Sequence, residues 1–221
     1  MIRLLLSCAA ALTAIGIAAA QAPNVDRRDP RNLRLRGDRF KPLTYDEMTP
    51  AQKTMIEHLL SGPRAGADGP FNALLRSPEI GDLAQQFGAS VRFNSSVPRK
   101  LNELAIIITA RYWTAQYEWQ AHHRAALQAG LSPIIADAIA QGQRPMGMQK
   151  DEEAVYNFCW ELLNTKQVSD ATYKAAKDTV SERGVVDLIG VMGWYQTVSM
   201  LLNTDRYPLP EGVQPELKPL K

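Results

Sequence analysis

The sequence has little cysteine, little net charge and no run of alternating polarity, and each shortage excludes something. Two cysteines in 221 residues rule out a disulfide-dense scaffold and any zinc site built on several thiolates. A formal charge of +2, from 25 Lys+Arg against 23 Asp+Glu, lacks the basic excess of a dedicated nucleic-acid binder, so nucleic acid is not an expected partner. With 14 Gly and 14 Pro there is no collagen-like or low-complexity character. No segment alternates apolar and polar residues over a convincing length, so strands are not expected. What remains is ordinary globular usage, 45% hydrophobic and 22% charged, in a chain long enough for one domain with tails and a core that folds unaided.

The first 20 residues, MIRLLLSCAAALTAIGIAAA, have the layout of a secretory signal peptide. Arg3 supplies the positive end, Leu4 to Ala18 form the apolar stretch, and Ala18-Ala19-Ala20 offer a small-residue cleavage site. The run is short for a stable membrane span, so an uncleaved anchor is the alternative and cleavage the favoured reading. The expectation is export across the inner membrane to the periplasm, with cleavage near Ala20 and no stable membrane span afterwards. Cleavage leaves Cys159 as the only thiol. Its neighbours Phe158, Trp160 and Leu162 mark it as buried and inert.

Residues 21–44 are rich in Arg, Asp and Pro and read as an extended arm or linker, suited to lying on a partner subunit. Beyond them the punctuation is helical. Thr49-Pro50, Ser77-Pro78 and Ser132-Pro133 look like N-cap and first-turn pairs, because proline lacks the N–H that a first turn leaves unpaired. Gly130 and Gly142 stand where left-handed helix stops are wanted. These signals predict helices near 50–61, 78–93, 98–112, 115–129, 133–141, 151–164, 169–183 and 185–203. The loop from Gly62 to Pro70 is flexible by composition and placed to border a pocket. Residues 45–205 then form an all-α bundle, followed by an irregular Pro-rich tail over 206–221.

The polar residues inside apolar helices carry the chemical information. Glu103 shares a face with Ile106, Ile107 and Ala110, so its carboxyl is either paired or protonated. The bland alternative is a first-turn acid favoured by the helix dipole. Glu118 and His122 are i and i+4, hence neighbours on one helical face, with Ala125, Ala126 and Ala129 leaving open volume along it. On one straight helix Glu103 and Glu118 would lie about 22 Å apart. A reversal near Trp113-Thr114, with Thr114 capping a new helix, would bring Glu103 to Glu118 and His122. Such a cluster has the parts for proton transfer, since histidine titrates near neutrality. Trp113, Tyr117 and Trp119 would wall it, and Arg111 would either clamp a substrate carboxylate through its fork or pair with a neighbouring acid. His123 points about 100° away from His122 and reads as a packing or surface residue, and His58 gives no functional signal. One imidazole and two carboxylates without a dense ligand motif are poor evidence for a metal, so none is expected.

These residues resemble the carboxymuconolactone decarboxylase family, which includes the alkylhydroperoxidase D-like proteins. The resemblance is carried by Leu101-Asn-Glu-Leu-Ala-Ile-Ile-Ile-Thr-Ala-Arg111 and by Ala115-Gln-Tyr-Glu-Trp-Gln-Ala-His-His-Arg-Ala-Ala-Leu-Gln-Ala-Gly-Leu131. The peroxidase branch has the pattern Glu-x11-Cys-x2-Cys-x3-His. Its glutamate falls on Glu103 and its histidine on His122, but its two cysteines fall on Ala115 and Glu118. A dithiol peroxidase needs both a thiolate nucleophile and a resolving thiol. The segment Tyr117-Glu118-Trp119-Gln120-Ala121-His122 instead looks like the decarboxylase-type pattern Tyr-Glu-Trp-x-x-His. The resemblance implies an all-α fold, a homotrimer or homohexamer, and a cofactor-free lyase or proton-transfer enzyme acting on a small organic acid or lactone. Glu103, Glu118 and His122 would be its catalytic residues. The alternatives are a non-catalytic small-molecule-binding protein of the same fold and, less favoured, a peroxidase.

Overall fold

A computed structural model describes residues 26–64 and 66–219. The expected leader and its cleavage site lie outside the described residues. Among those described, regular structure is entirely helical. The α-helices are α1 (Pro50–Ser61), α2 (Phe71–Leu74), α3 (Pro78–Phe93), α4 (Arg99–Tyr112), α5 (Gln116–Gln128), α6 (Pro133–Ala140), α7 (Lys150–Thr165) and α8 (Asp170–Asp205). Two 3-10 turns, Pro30–Asn32 and Tyr45–Glu47, precede them.

Helix α4 is the centre of the bundle. Every residue from Leu101 to Arg111 is buried, because α5, α6, α7 and α8 all pack against it. That explains the sequence LNELAIIITAR, apolar on more than one side, which only a helix covered all round can tolerate. α3 packs between α1 and α8. Gly88 permits this close approach, since a Cβ there would collide with the indole of Trp194.

Helix boundaries follow local chemistry. Thr49 caps α1 in a reciprocal box with Gln52. Ser77 and Ser132 occupy N-cap positions but make no side-chain cap bond, so there the proline at the first helical position marks the start. Gly130 and Gly142 both adopt positive φ, 96° and 71°, ending α5 and α6 as expected.

The α4–α5 reversal uses the same device without glycine. Thr114 has φ 48°, its N–H donates to the Arg111 carbonyl, and the Ala115 N–H reaches back to the Ala110 carbonyl, both at 2.9 Å. This is a Schellman-type stop. Thr114 therefore closes α4, and Ala115 holds the N-cap position of α5. The cap expected at Thr114 is thereby corrected, while the reversal stands.

The two helices expected over 169–183 and 185–203 are one element, α8, broken at Ser181, whose φ of 69° and ψ of 172° are not helical. α8 is long and apolar enough to cross a membrane by length and composition, yet half of that stretch is buried in the bundle. The short α2 lies within the stretch that the sequence marked only as loop and its flank.

The flanking segments lie on the bundle of this same chain. Asp205 is buried and its Oδ1 accepts from the N–H groups of Asp38 and Phe40, at 3.1 and 2.8 Å. Residues 207–219 contain no helix. They return along α5, where the Leu217 N–H and carbonyl bond the Gln116 side chain at 3.1 and 2.6 Å.

Candidate active site

Glu103 and His122 lie about equally far in sequence from the turn at Trp113-Thr114, on helices that run back along each other. They therefore meet at one height. His122 Nδ1 lies 2.6 Å from Glu103 Oε2, and His122 Nε2 lies 3.0 Å from Glu118 Oε1. All three side chains are buried, the imidazole only 4% exposed. Glu103 is beyond the first turn of α4. The dipole reading of this acid gives way to the paired one.

Each nitrogen-to-oxygen contact requires one shared proton. An imidazolium between two carboxylates supplies both, leaving the cluster with a charge of −1. Burial opposes the charged imidazole, but the Glu118 charge and the hydrogen bonds to Glu103 and Glu118 outweigh it, holding His122 above its ordinary value. Both ring nitrogens face carboxylate oxygens.

A cavity of about 350 Å³ opens beside the cluster. Glu118 and His122 line it, whereas Glu103 stands behind them. The helical wheel of α5 explains which neighbours join. At 100° per residue, Tyr117, Ala121, Glu118 and His122 occupy one continuous arc, and all four line the cavity. Ala121 supplies the open volume. Ala126, expected to help open that space, is completely buried and does not line the cavity.

Gln116, Trp119 and His123 fall on the other arc, where the C-terminal tail lies. Trp119 Nε1 donates to Glu216 Oε2 at 2.8 Å, and His123 Nδ1 is 3.0 Å from the same oxygen. Trp119 is thus a core and tail residue, not part of the cavity wall. Trp113 caps the C-terminus of α4 and does not line the cavity either.

Arg111 is likewise displaced from its expected role. It lies two turns beyond Glu103, about 12 Å along the helix, beside a separate recess of about 140 Å³. Its guanidinium donates to the Lys218 carbonyl at 2.8 Å and to Thr114 Oγ1 at 3.2 Å. It anchors tail to turn.

The wall that the sequence reading missed comes from elsewhere in the chain. α8 contributes Trp194, Tyr195 and Val198, and Phe71, Arg92 and Phe93 add to it. The loop between α1 and α2, expected to border a pocket, supplies Pro63, Arg64, Gly66, Asp68, Gly69 and Pro70. Gly69, at φ 91°, turns this loop so that its N–H donates to Tyr207 Oη at 3.0 Å. Arg27 pairs with Asp68 at the rim. Tyr195 stacks edge-on against His122, with ring centroids 4.8 Å apart. Burial pushes its phenol well above the ordinary range, so it stays a hydrogen-bond donor. Burial also raises Tyr117, reinforced by the neighbouring Tyr207 and Asp68. The lone described thiol, Cys159, is fully buried in α7 and pushed up to about 12, which suppresses its thiolate.

No family model matches the chain, and no curated protein is similar to it. A solved structure from Agrobacterium tumefaciens, described as a protein of unknown function and putative antioxidant defence protein AhpD, superposes with a TM-score of 0.52 at 14% identity. The match covers 63% of this chain and 96% of that one. With its reversed α4–α5 pair at the centre of an all-helical bundle, this chain has the alkylhydroperoxidase D-like fold.

Proposed function

We propose that this chain is a cofactor-free lyase or related proton-transfer enzyme acting on a small organic acid or lactone. The observation that carries the reading is the Glu103–His122–Glu118 cluster, buried yet presenting two of its members to an aromatic-walled cavity.

Loss of CO2 from a carboxylactone leaves the electron pair of the broken C–C bond on carbon. The lactone carbonyl delocalises that pair as an enolate. Tyr195, kept protonated beside His122, offers its O–H to the enolate oxygen. The carbon then takes one proton from the imidazolium on the cavity-facing side of the cluster, where Glu118 orients and charge-tunes it. Glu103 holds the far side of the ring and fixes its orientation. One proton from solvent restores the starting state, so the cycle consumes a proton and releases CO2. Acid catalysis of this kind contributes about 10²–10⁴-fold.

A screen of the purified protein for CO2 release from carboxylactones and β-keto acids tests the reading. Turnover that falls by about 10²–10⁴-fold in His122→Ala supports it. Equal turnover by the variant rejects it. Ligand-induced thermal stabilisation without turnover of any substrate favours the non-catalytic binding protein instead. A thiol peroxidase is disfavoured by Ala115 and Glu118 at the dithiol positions and by the buried Cys159. Peroxide consumption lost in Cys159→Ser would revive it.

Export to the periplasm and assembly into a trimer or hexamer belong to the same proposal. Support for assembly comes from Ile80, Leu83 and Phe87 of α3 and Val186 and Ile189 of α8, all exposed on two helices that pack together. Sedimentation and cell fractionation of the full chain test these two points.

A further inference from the structure

Arg64 is 7% exposed, yet its Nε and Nη2 are buried with no hydrogen-bond partner among the described residues. No carboxylate among the described residues forms an ion pair with it. Guanidinium stays charged in proteins and carries five donors in a fixed fork, so a site that buries it unpaired calls for an explanation. Here the aromatic rings account for its position but not for its donors. The guanidinium carbon lies 5.0 Å from the Phe71 ring centroid and 5.7 Å from that of Phe93. Both rings line the same cavity as Arg64.

The charge pattern around the cavity agrees. Arg92 lines it as well, and at the rim Asp68 is paired with Arg27. The acid–imidazole cluster contributes −1. Two arginines against that cluster leave one positive charge unmatched. Burial depresses the Arg64 guanidinium, while Tyr195 and Glu118 act in the opposite sense and Arg92 adds to the depression. An anion arriving beside Arg64 would relieve both the unpaired donors and the repulsion from Arg92.

We infer that Arg64 is the anchor of a carboxylate subsite, so that the molecule bound in this cavity is an organic anion with a flat apolar body. Its carboxylate takes the guanidinium fork, and its body packs on Phe93 and Trp194 with its other end toward Glu118. The inference deepens the proposed function by naming the charge of the substrate and the residue that reads it. Arg64, not Arg111, is the specificity-determining arginine.

Calorimetric titration of the full chain with benzoate and with its neutral isostere benzamide tests this without needing turnover. The expected result is benzoate bound about ten- to a hundredfold tighter than benzamide, the range for a charge-assisted bidentate pair. Arg64→Gln should erase that preference, and Arg64→Lys should retain part of it. Arg111→Gln should leave the preference intact. Unchanged benzoate selectivity in Arg64→Gln, or no selectivity in the wild type, overturns the inference. If Arg64→Gln fails to fold, Arg64→Lys with full selectivity and Arg92→Gln with none would also overturn it, by moving the role to Arg92. Benzoate selectivity in a wild-type protein that releases no CO2 from any carboxylactone or β-keto acid would sink the proposed reaction and leave the subsite standing.

Discussion

Arg64 and Arg111 are both buried, at 7% and 4% exposure, and they occupy opposite situations. Arg111 stands where α4 turns into α5. Its guanidinium is bonded to the Thr114 hydroxyl and the Lys218 carbonyl, leaving only Nε without a partner. Arg64 stands in the α1–α2 loop with aromatic faces beside it and two buried nitrogens unbonded. Burying a charge is costly in both places. In one region the protein's own tail offsets that cost, and in the other nothing among the described residues does. Burial alone therefore does not mark a functional arginine; the direction of its unpaired donors does. His122 lies at the far end of the same scale, with both nitrogens satisfied by carboxylates.

The largest expected effect comes from unbalancing that satisfied extreme. Glu103→Ala leaves the buried imidazolium with one carboxylate fewer and should cost about 3–5 kcal/mol of stability, read by urea denaturation. A negligible loss would mean that the cluster is no better matched than Arg64.

The two arginines should then respond with opposite signs. Arg111→Met removes the tail anchor and leaves the Lys218 carbonyl unpaired, for a loss of about 1–3 kcal/mol. Arg64→Met removes an unpaired buried charge and should be neutral or stabilising in the unliganded protein, while abolishing benzoate binding. Equal destabilisation by both would erase the contrast.

The pH dependence sharpens the comparison further. His122 is held above its ordinary value of 6.5 by its carboxylate partners. Its contribution to stability is therefore fully present below about 6.5 and is lost as pH rises through the folded-state value. Thermal melts of wild type should lose ground to His122→Gln as pH is raised across that window. A constant difference would contradict the raised value.

The smallest effect belongs to the tail. Glu216 accepts from Trp119 and sits beside His123 but is 43% exposed at its side chain. Glu216→Ala should cost no more than about 1 kcal/mol.

The cluster was legible in the sequence because each of its signals is local. The i,i+4 spacing fixed Glu118 beside His122, and the polarity of Glu103 within an apolar helix demanded a partner. One reversal between them was enough to join the three. The cavity wall was not legible. Trp194, Tyr195 and Val198 come from α8, far along the chain, and their approach depends on how α8 crosses α3 and α4. Tyr117, expected in the wall on the same aromatic ground as Trp113 and Trp119, lines the cavity because it shares the arc of Glu118. Trp113 and Trp119 were misplaced because aromatic content near a site says nothing about which arc a residue occupies. Arg111 has the guanidinium fork that suits a carboxylate but sits about two turns from the cluster, whereas Arg64 lies in a Gly- and Pro-rich loop with no periodicity to orient it. The helix boundaries were mostly readable from Pro and Gly. The interruption of α8, expected between 183 and 185, falls at Ser181, while the short α2 was not legible, since it carries no distinctive cap.

The central claim is that His122 is an imidazolium held between two carboxylates at the edge of the cavity. Nitrogen-15 NMR of histidine-labelled protein tests it directly, because the chain has 3 histidines and His122→Gln identifies the relevant pair of signals. Both ring nitrogens of His122 should bear protons at pH 7. An unprotonated ring nitrogen on His122 at that pH would contradict the account.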